Sequence, residues 1–410
     1  MNEITATPAE PGPLQIRLEN AFVALCSFGV AILAALEPMI AATYETFNPV
    51  RQAVCLAFLI MLAWVVRPWV LLTRETMLYI VFTAYMFVTL IWAPSFDEGM
   101  NTLIPAVDFV LLSVLFGSLV AFHNLRAVLT GALTGYVIGA IVYTKVVGFP
   151  FSYPLDFSYN AVAGMYLFGL FITLVYAWQR RSRLLPMPIA LISLLLIAAT
   201  TSIKTNLGIA LGAGASMIAY ARISLRMVRR NVILLSLLVA ALVSYVLSNQ
   251  ELVENVQWGL TRASHGVEIL QRREDTKYGT SYGERTVWKD EGIKGWERSP
   301  LFGSGVEAFR TDHGITSHST PIDLLYNFGL IGLGLYYAMF ASVALRLWRM
   351  RGAEIGSLPA LIFAGLVCYS FITLSGTMHY NTFLAIYFAV SVALLRRFGP
   401  EWTVARTPAA

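Results

Sequence analysis

The chain has 410 residues, of which 57% are hydrophobic and only 13% are charged, about half the charged share of a soluble domain. This composition excludes an ordinary soluble globular protein. The net charge of +5 would indicate acidic partners in a soluble protein. In an apolar chain it reflects Lys and Arg retained in cytoplasmic loops, and it does not indicate a nucleic-acid partner.

Apolar runs follow one another from Ala21 to Leu395, each about 17–25 residues long and therefore able to cross a bilayer as a helix. Helices are expected because every backbone N–H and C=O in lipid must be satisfied within its own segment. The predicted fold class is all-α, a polytopic membrane helix bundle of about twelve transmembrane helices with one large, partly helical periplasmic loop. The predicted spans are 20–43, 50–66, 75–93, 100–122, 125–146, 158–178, 187–203, 206–222, 231–248, 320–345, 358–375 and 380–396. A cleaved signal peptide over the first run is the alternative, but a retained helix makes the topology consistent.

Arginines accumulate in alternate predicted loops, which are therefore cytoplasmic by the positive-inside rule. Both termini then lie inside. The chain is expected in a bacterial inner membrane, with its large loop in the periplasm. The predicted organisation is a disordered N-terminus (1–19), nine spans (20–248), the periplasmic loop (249–319), three spans (320–397) and a cytoplasmic tail (398–410).

The predicted loop has structure of its own. Apolar residues recur every three or four positions between Leu252 and Leu270, as in an amphipathic helix that lies on a membrane surface. A second helix is predicted over 284–298, with one side formed by Arg285, Trp288, Lys289, Gly292 and Trp296. Ser299-Pro300 ends this helix, and Gly303 with Gly305 permits a tight turn. Pro321 falls in the first turn of the next membrane helix, where proline is well tolerated.

His318 is the leading catalytic candidate, and Asp323 is its neighbour. His318 stands at the outer mouth of a predicted membrane helix, and Asp323 lies inside the apolar run that follows. An acid at that depth usually has a partner or a function. Imidazole can take a proton from a hydroxyl at physiological pH, as a general base in glycosyl or acyl transfer does. The alternative is an interfacial histidine that caps the helix.

Four cations are candidates for binding the phosphates of a lipid-linked donor: Arg285, Lys204, Arg262 and Arg310. Arginine can hold phosphate oxygens with two hydrogen bonds, and lysine supplies a compact charge. The alternative is that these side chains extend to lipid headgroups. That alternative is favoured for Arg262 and Arg310, whereas both interpretations stay open for Lys204.

No cofactor or metal is predicted. The Phe302–Gly305 motif lacks the Gly-Lys-Ser/Thr continuation of a phosphate-binding loop. His313 and His318 are spaced by five residues, which does not align two imidazoles on one helix face as metal ligands. The three cysteines lie in apolar runs and behave as small hydrophobic residues. Glu37, Asp108 and Asn160 also lie in predicted spans without an assigned role.

Two stretches carry a family resemblance: RTVWKDEGIKGWERSPLFGSGVEAF and HSTPIDLLYNFGLIGLGLYY. They resemble the region shared by the O-antigen ligase and O-antigen polymerase family, in which a Gly turn and a His precede a membrane helix. The upstream YNAVAGMYLFGL is similar to the family's Asn-containing helix. The resemblance covers about 158–340, judged by motif order and topology together.

The resemblance implies a glycan transferase that takes a saccharide from an undecaprenyl-diphosphate carrier in the periplasm, without metal or nucleotide. It makes His318 the base that activates the acceptor and Arg285 a diphosphate contact. Lys204 stands where the family more often has Arg, and Ser319 stands where Asn commonly follows the His. Membrane lipids and either lipid A–core or a second lipid-linked glycan are the other implied partners.

Three alternatives to an O-antigen ligase remain. A polymerase would join lipid-linked repeat units, and ligase is favoured only on overall size and motif similarity. A transporter or flippase for lipid-linked sugars would show inverted repeats and interrupted helices, neither of which is clear in the sequence. A structural scaffold would have no need for His318 beside Asp323.

Overall fold

The computed structural model describes residues 12–40, 52–54, 56–61, 74–147, 159–180, 186–200, 202–219, 281–350, 358–374 and 382–398. Over these ranges the chain is helical and contains no β-strand. The helices are α1 (Pro13–Ile40), α2 (Arg74–Thr89), a 3₁₀ turn (Leu90–Trp92), α3 (Phe96–Phe122), α4 (Leu125–Val147), α5 (Tyr159–Arg180), α6 (Pro186–Ala199), α7 (Ile203–Ala219), α8 (Ser281–Arg298), α9 (Ala308–His313), α10 (Thr320–Arg349), α11 (Leu358–Leu374) and α12 (Thr382–Phe398). The all-α prediction is confirmed.

Five stretches of the described chain are long and apolar enough to cross a membrane: Pro13–Leu36, Phe96–Phe122, Leu125–Val146, Val162–Arg180 and Thr320–Arg349. The chain is therefore a multi-pass membrane protein. The total of twelve spans and the side on which the large loop lies stay predictions. Part of the predicted span 50–66, the span 231–248 and the amphipathic helix over 252–270 lie outside the described residues.

Helix α1 begins at Pro13, earlier than the predicted boundary at residue 20. Proline suits the first turn of a helix because it has no N–H to leave unpaired. Residues 13–19, expected to be disordered, are therefore helical, and residues 1–11 lie outside the described chain.

A stripe of glycines allows α1 and α4 to approach closely. Gly131, Gly135 and Gly139 recur every four residues along α4, and a Cβ at any of them would collide with α1. This small-residue spacing is typical of helix pairs in membranes, where close packing replaces the hydrophobic driving force.

Helix α10 is broken at Gly329. This residue has φ 63° and ψ −163°, a combination that essentially only glycine adopts. The backbone groups released by the break pair with the segment Pro300–Gly305, hereafter the Gly turn. The four hydrogen bonds run from Ser304 N to Tyr326 O (2.8 Å), from Gly305 N to Asn327 O (2.9 Å), from Leu330 N to Pro300 O (2.9 Å) and from Ile331 N to Leu301 O (3.2 Å).

Neighbouring elements support the broken helix. The Tyr85 hydroxyl of α2 lies 3.1 Å from the carbonyl oxygen of Phe328 and 3.0 Å from that of Phe302. The Asn327 side chain accepts a hydrogen bond from the backbone N–H of Phe309, at 2.9 Å. Next to the break, Phe82 packs edge-on against Phe328, with 5.8 Å between the ring centroids. An unpaired backbone group at membrane depth would cost several kcal/mol, so these contacts explain how α10 tolerates the break.

Candidate active site at the outer end of α10

The end of α10 opposite Arg346 and Arg349, hereafter its outer end, begins with a tight turn that presents His318. His318 is half-buried and adopts φ 57°, the left-handed region in which histidine is several-fold enriched among non-glycine residues. The Ser317 hydroxyl donates to the carbonyl of Ser319 at 2.9 Å, and the Ser319 N–H donates to the Ser317 oxygen at 3.1 Å. These two bonds hold His318 between them, so its backbone position is defined before any substrate binds.

Asp323 completes this turn. Its side chain is only 3% exposed, and Oδ1 accepts the backbone N–H of Ser317 at 3.1 Å. A carboxylate in the first turn of a helix also interacts favourably with the helix dipole. The sequence analysis paired Asp323 with His318 as a catalytic residue. The structure shows that Asp323 contacts the turn that carries His318, and its catalytic role stays a prediction.

Helix α8 descends beside the outer part of α10. A Cβ on Gly292 would collide with Ile322, and one on Gly295 would collide with the Tyr326 ring, so glycine permits the close approach. The predicted helix over 284–298 is confirmed as Ser281–Arg298. Lys289, predicted for the same side as Gly292, lies about 60° around the helix from that residue and is exposed.

The backbone of Arg285 lies on α8 about 10 Å above Gly292, because a helix rises about 1.5 Å per residue. Gly292 packs against Ile322, and Ile322 lies one helical turn after His318. Arg285 and His318 are therefore both beyond the level at which α8 meets α10. The structure describes the backbone of Arg285 but not its side chain.

The other three candidate phosphate-binding residues do not lie on α8. Lys204 is half-buried in the first turn of α7, a helix that packs against α11 through Gly208 and Gly212. Arg310 is exposed on α9, and Arg262 lies outside the described residues. Convergence of Lys204 with the His318 turn stays a prediction, and the exposure of Arg310 fits the alternative of a headgroup contact.

An aromatic cluster packs beneath the loop between α9 and α10. Phe309 lies at its centre, with ring centroids 4.6 Å from His313, 5.1 Å from Tyr326 and 6.4 Å from Trp288. The Tyr326 hydroxyl donates to Asp312 at 2.5 Å. His313 Nε2 is buried without a hydrogen-bond partner. His313 is therefore a packing residue, unlike His318 on the adjacent turn.

Helix α8 keeps a solvated face on its other side. Lys294 donates to Glu291 at 2.7 Å, and this hydrogen bond holds the pKa of the Glu291 carboxyl below its usual range. The pair is exposed and contributes little to stability. Among the described residues, no cluster of three or more His, Cys, Asp or Glu side chains is arranged to hold a metal ion.

Comparison with known families supplies the decisive observation. Residues 188–337, which run from α6 to the middle of α10 and include both α8 and the His318 turn, match the family model of the O-antigen ligases. This part of the chain is similar to the O-antigen ligase family. The resemblance seen in the sequence is thereby confirmed, although the similar stretch upstream of residue 188 lies outside the matched range. No curated protein sequence matches the chain significantly.

The match of residues 188–337 indicates a class of activity. It points to a membrane glycosyltransferase-type enzyme of the O-antigen ligase or polymerase type, with lipid-linked glycans and membrane lipids as partners at a coarse level. The matched range contains Lys204, Arg262, Arg285, Arg310, His318 and Asp323. Three structural residues of the site were not found from the sequence: Ser317, Asn327 and Gly329. The polar Asn327 inside an apolar run was the available signal for that region.

Proposed function

We propose that this protein transfers a glycan from an undecaprenyl-diphosphate carrier to a hydroxyl of lipid A–core, on the periplasmic side of the bacterial inner membrane. The observation that carries this proposal is the His318 turn at the outer end of a membrane helix, braced by Asp323. The family match supports the class of reaction. The donor, the acceptor and the residue roles are inferences from the site.

The level of the turn relative to the membrane suits a lipid-linked donor. A hydrocarbon layer of ~30 Å is crossed by about 20 helical residues, and about 20 residues counted outward from Arg346 end at Tyr326. Asp323 then lies about 5 Å outside the hydrocarbon, at 1.5 Å per residue, and His318 lies slightly farther out. That is the headgroup layer, in which the diphosphate of a membrane-anchored carrier also lies.

The proposed reaction is a single displacement. The acceptor hydroxyl attacks the anomeric carbon of the donor sugar, and the bond from that carbon to the diphosphate oxygen breaks. His318 takes the hydroxyl proton as the general base, which typically accelerates such a step ~10²–10⁴-fold. Undecaprenyl diphosphate leaves with its negative charge held by Arg285 and Lys204. Asp323 keeps the His318 turn in place through Ser317.

The proposal is tested with the purified full-length chain in proteoliposomes, supplied with an undecaprenyl-diphosphate glycan, a chelator and no nucleotide. Two acceptors are compared, lipid A–core and a second lipid-linked repeat unit. Glycan attached to lipid A–core is the expected product. Joined repeat units would identify a polymerase instead. Binding or flipping of the donor without a new glycosidic bond would contradict the enzymatic proposal.

A further inference from the structure

The segment from α8 to α9 forms a hairpin beside the outer part of α10. Helix α8 and the outer part of α10 run in the same direction. Gly292 meets Ile322, and farther along both helices Gly295 meets Tyr326. The descent continues past the end of α8, because Leu301 O accepts the N–H of Ile331. The lowest point of this path is therefore the Gly turn, Pro300–Gly305.

The same segment then climbs back. Gly305 N donates to Asn327 O at 2.9 Å, and the N–H of Phe309 reaches the side chain of that same Asn327. The chain thus returns from the level of Ile331 to the level of Asn327 within a few residues. A segment that descends, turns and returns on one side of a membrane is a re-entrant element, and its backbone groups are satisfied by protein as such elements require.

The lowest residues of this hairpin are apolar and uncovered. Leu301 and Phe302 are 54% and 53% exposed, and the adjacent Leu330 and Ile331 of α10 are 45% and 36% exposed. Leu301 and Ile331 are neighbours because their backbones are hydrogen-bonded to each other, and Phe302 and Leu330 adjoin them in the chain. Single exposed apolar residues are ordinary, whereas a contiguous group of large ones indicates a contact surface.

The position of α10 identifies what covers the patch. Leu330 and Ile331 follow Tyr326 by four and five residues in the direction of Arg346, which is within the hydrocarbon on the residue count from Arg346. Exposed residues farther along the same helix, such as Leu345 at 57%, face lipid for the same reason. The patch is therefore continuous with the lipid-facing surface of a membrane span.

Charged residues limit the depth of this insertion. Glu297 and Arg298 at the end of α8 are exposed and lie between the level of Tyr326 and the Gly turn, where long charged side chains extend to the headgroup layer. The Trp296 indole N–H donates to the Pro300 carbonyl at 3.0 Å, and tryptophan is enriched at that interface. The insertion is shallow, with only the tip of the turn in contact with acyl chains.

We propose that the Gly turn is a re-entrant membrane anchor, whose Leu301 and Phe302 contact the acyl chains of the outer leaflet together with Leu330 and Ile331. The partner is the bilayer itself. This proposal depends on the membrane span of α10 and not on the reaction proposed above, so the two can fail separately.

The experiment places a nitroxide spin label at Phe302→Cys in the full-length chain, in a background in which Cys26, Cys55 and Cys368 are replaced by Ala. Collision rates with oxygen, which concentrates in lipid, are compared with those of a water-soluble nickel chelate in proteoliposomes. Leu345→Cys is the lipid-facing control, and Arg310→Cys, on the returning segment, is the water-facing control. Leu301→Cys provides a second position at the tip if one variant fails to accumulate.

The expected result is an oxygen-to-nickel collision ratio at Phe302 that is several-fold above that at Arg310 and approaches that at Leu345. A ratio equal to that at Arg310 would place the tip in water and overturn the proposal. Low collision rates with both reagents would show that another protein surface covers the patch, which would overturn it as well.

Discussion

Replacing Gly329 by Ala tests the broken helix on which the whole site depends. Residue 329 occupies a backbone conformation that costs a non-glycine residue about 1–3 kcal/mol. A Cβ there would also collide with the carbonyl group of Leu301, so the Gly turn must move away. Loss of the two hydrogen bonds from Leu330 and Ile331 would remove about 1 kcal/mol each.

The sum is a destabilisation of about 3–5 kcal/mol. At about 2–4 °C per kcal/mol, the midpoint of thermal denaturation in detergent should fall by about 6–20 °C. Gly334→Ala is the matched control, because Gly334 lies on the same helix with no atom near its missing Cβ. Alanine there favours the helix by about 0.5–1 kcal/mol. Equal midpoints for the two variants, or a Gly329→Ala protein more stable than wild type, would refute the broken helix.

Three further predictions concern the site and its orientation. Asp323→Asn keeps an oxygen for the Ser317 N–H and should retain most glycan transfer. Asp323→Ala loses that oxygen and should lower kcat with little change in KM. Equal losses in both variants would instead assign the carboxylate a direct role. Lys204→Ala and Arg285→Ala should raise the KM for the lipid-linked donor at unchanged membrane level, while Lys204→Arg should retain activity; an unchanged KM in both alanine variants would eliminate the diphosphate role. A reporter that is active only in the periplasm should be active when fused near Tyr278 and inactive near Arg181, and activity at Arg181 would reverse the orientation.

Local features of the loop were predictable from the sequence. The helix before Ser299-Pro300 appears as Ser281–Arg298, and Pro321 lies in the first turn of α10. Gly303 and Gly305 have φ of 73° and 101°, as a tight turn of glycines requires. Each of these features depends on residues that are adjacent in the chain, so composition and spacing determine them.

The broken helix was not predictable in the same way. The run that contains Gly329 is apolar and continuous, which indicates an unbroken span. The break is stable only because the Gly turn, more than twenty residues earlier in the chain, supplies the missing hydrogen bonds. The hydrogen bond from the Ser317 N–H to Asp323 was also not predicted, because residue spacing does not reveal which backbone group a side chain binds.

A reconstituted transfer assay with two histidine variants decides whether His318 is the general base. His318→Asn removes the imidazole but tolerates the left-handed backbone of this position better than Ala would. His313→Phe is the control, because it keeps the stacking on Phe309 and removes a buried nitrogen without a partner. We expect His318→Asn to lose transfer by a factor of ~10²–10⁴ and His313→Phe to retain it. Undiminished transfer in His318→Asn would contradict the proposed mechanism.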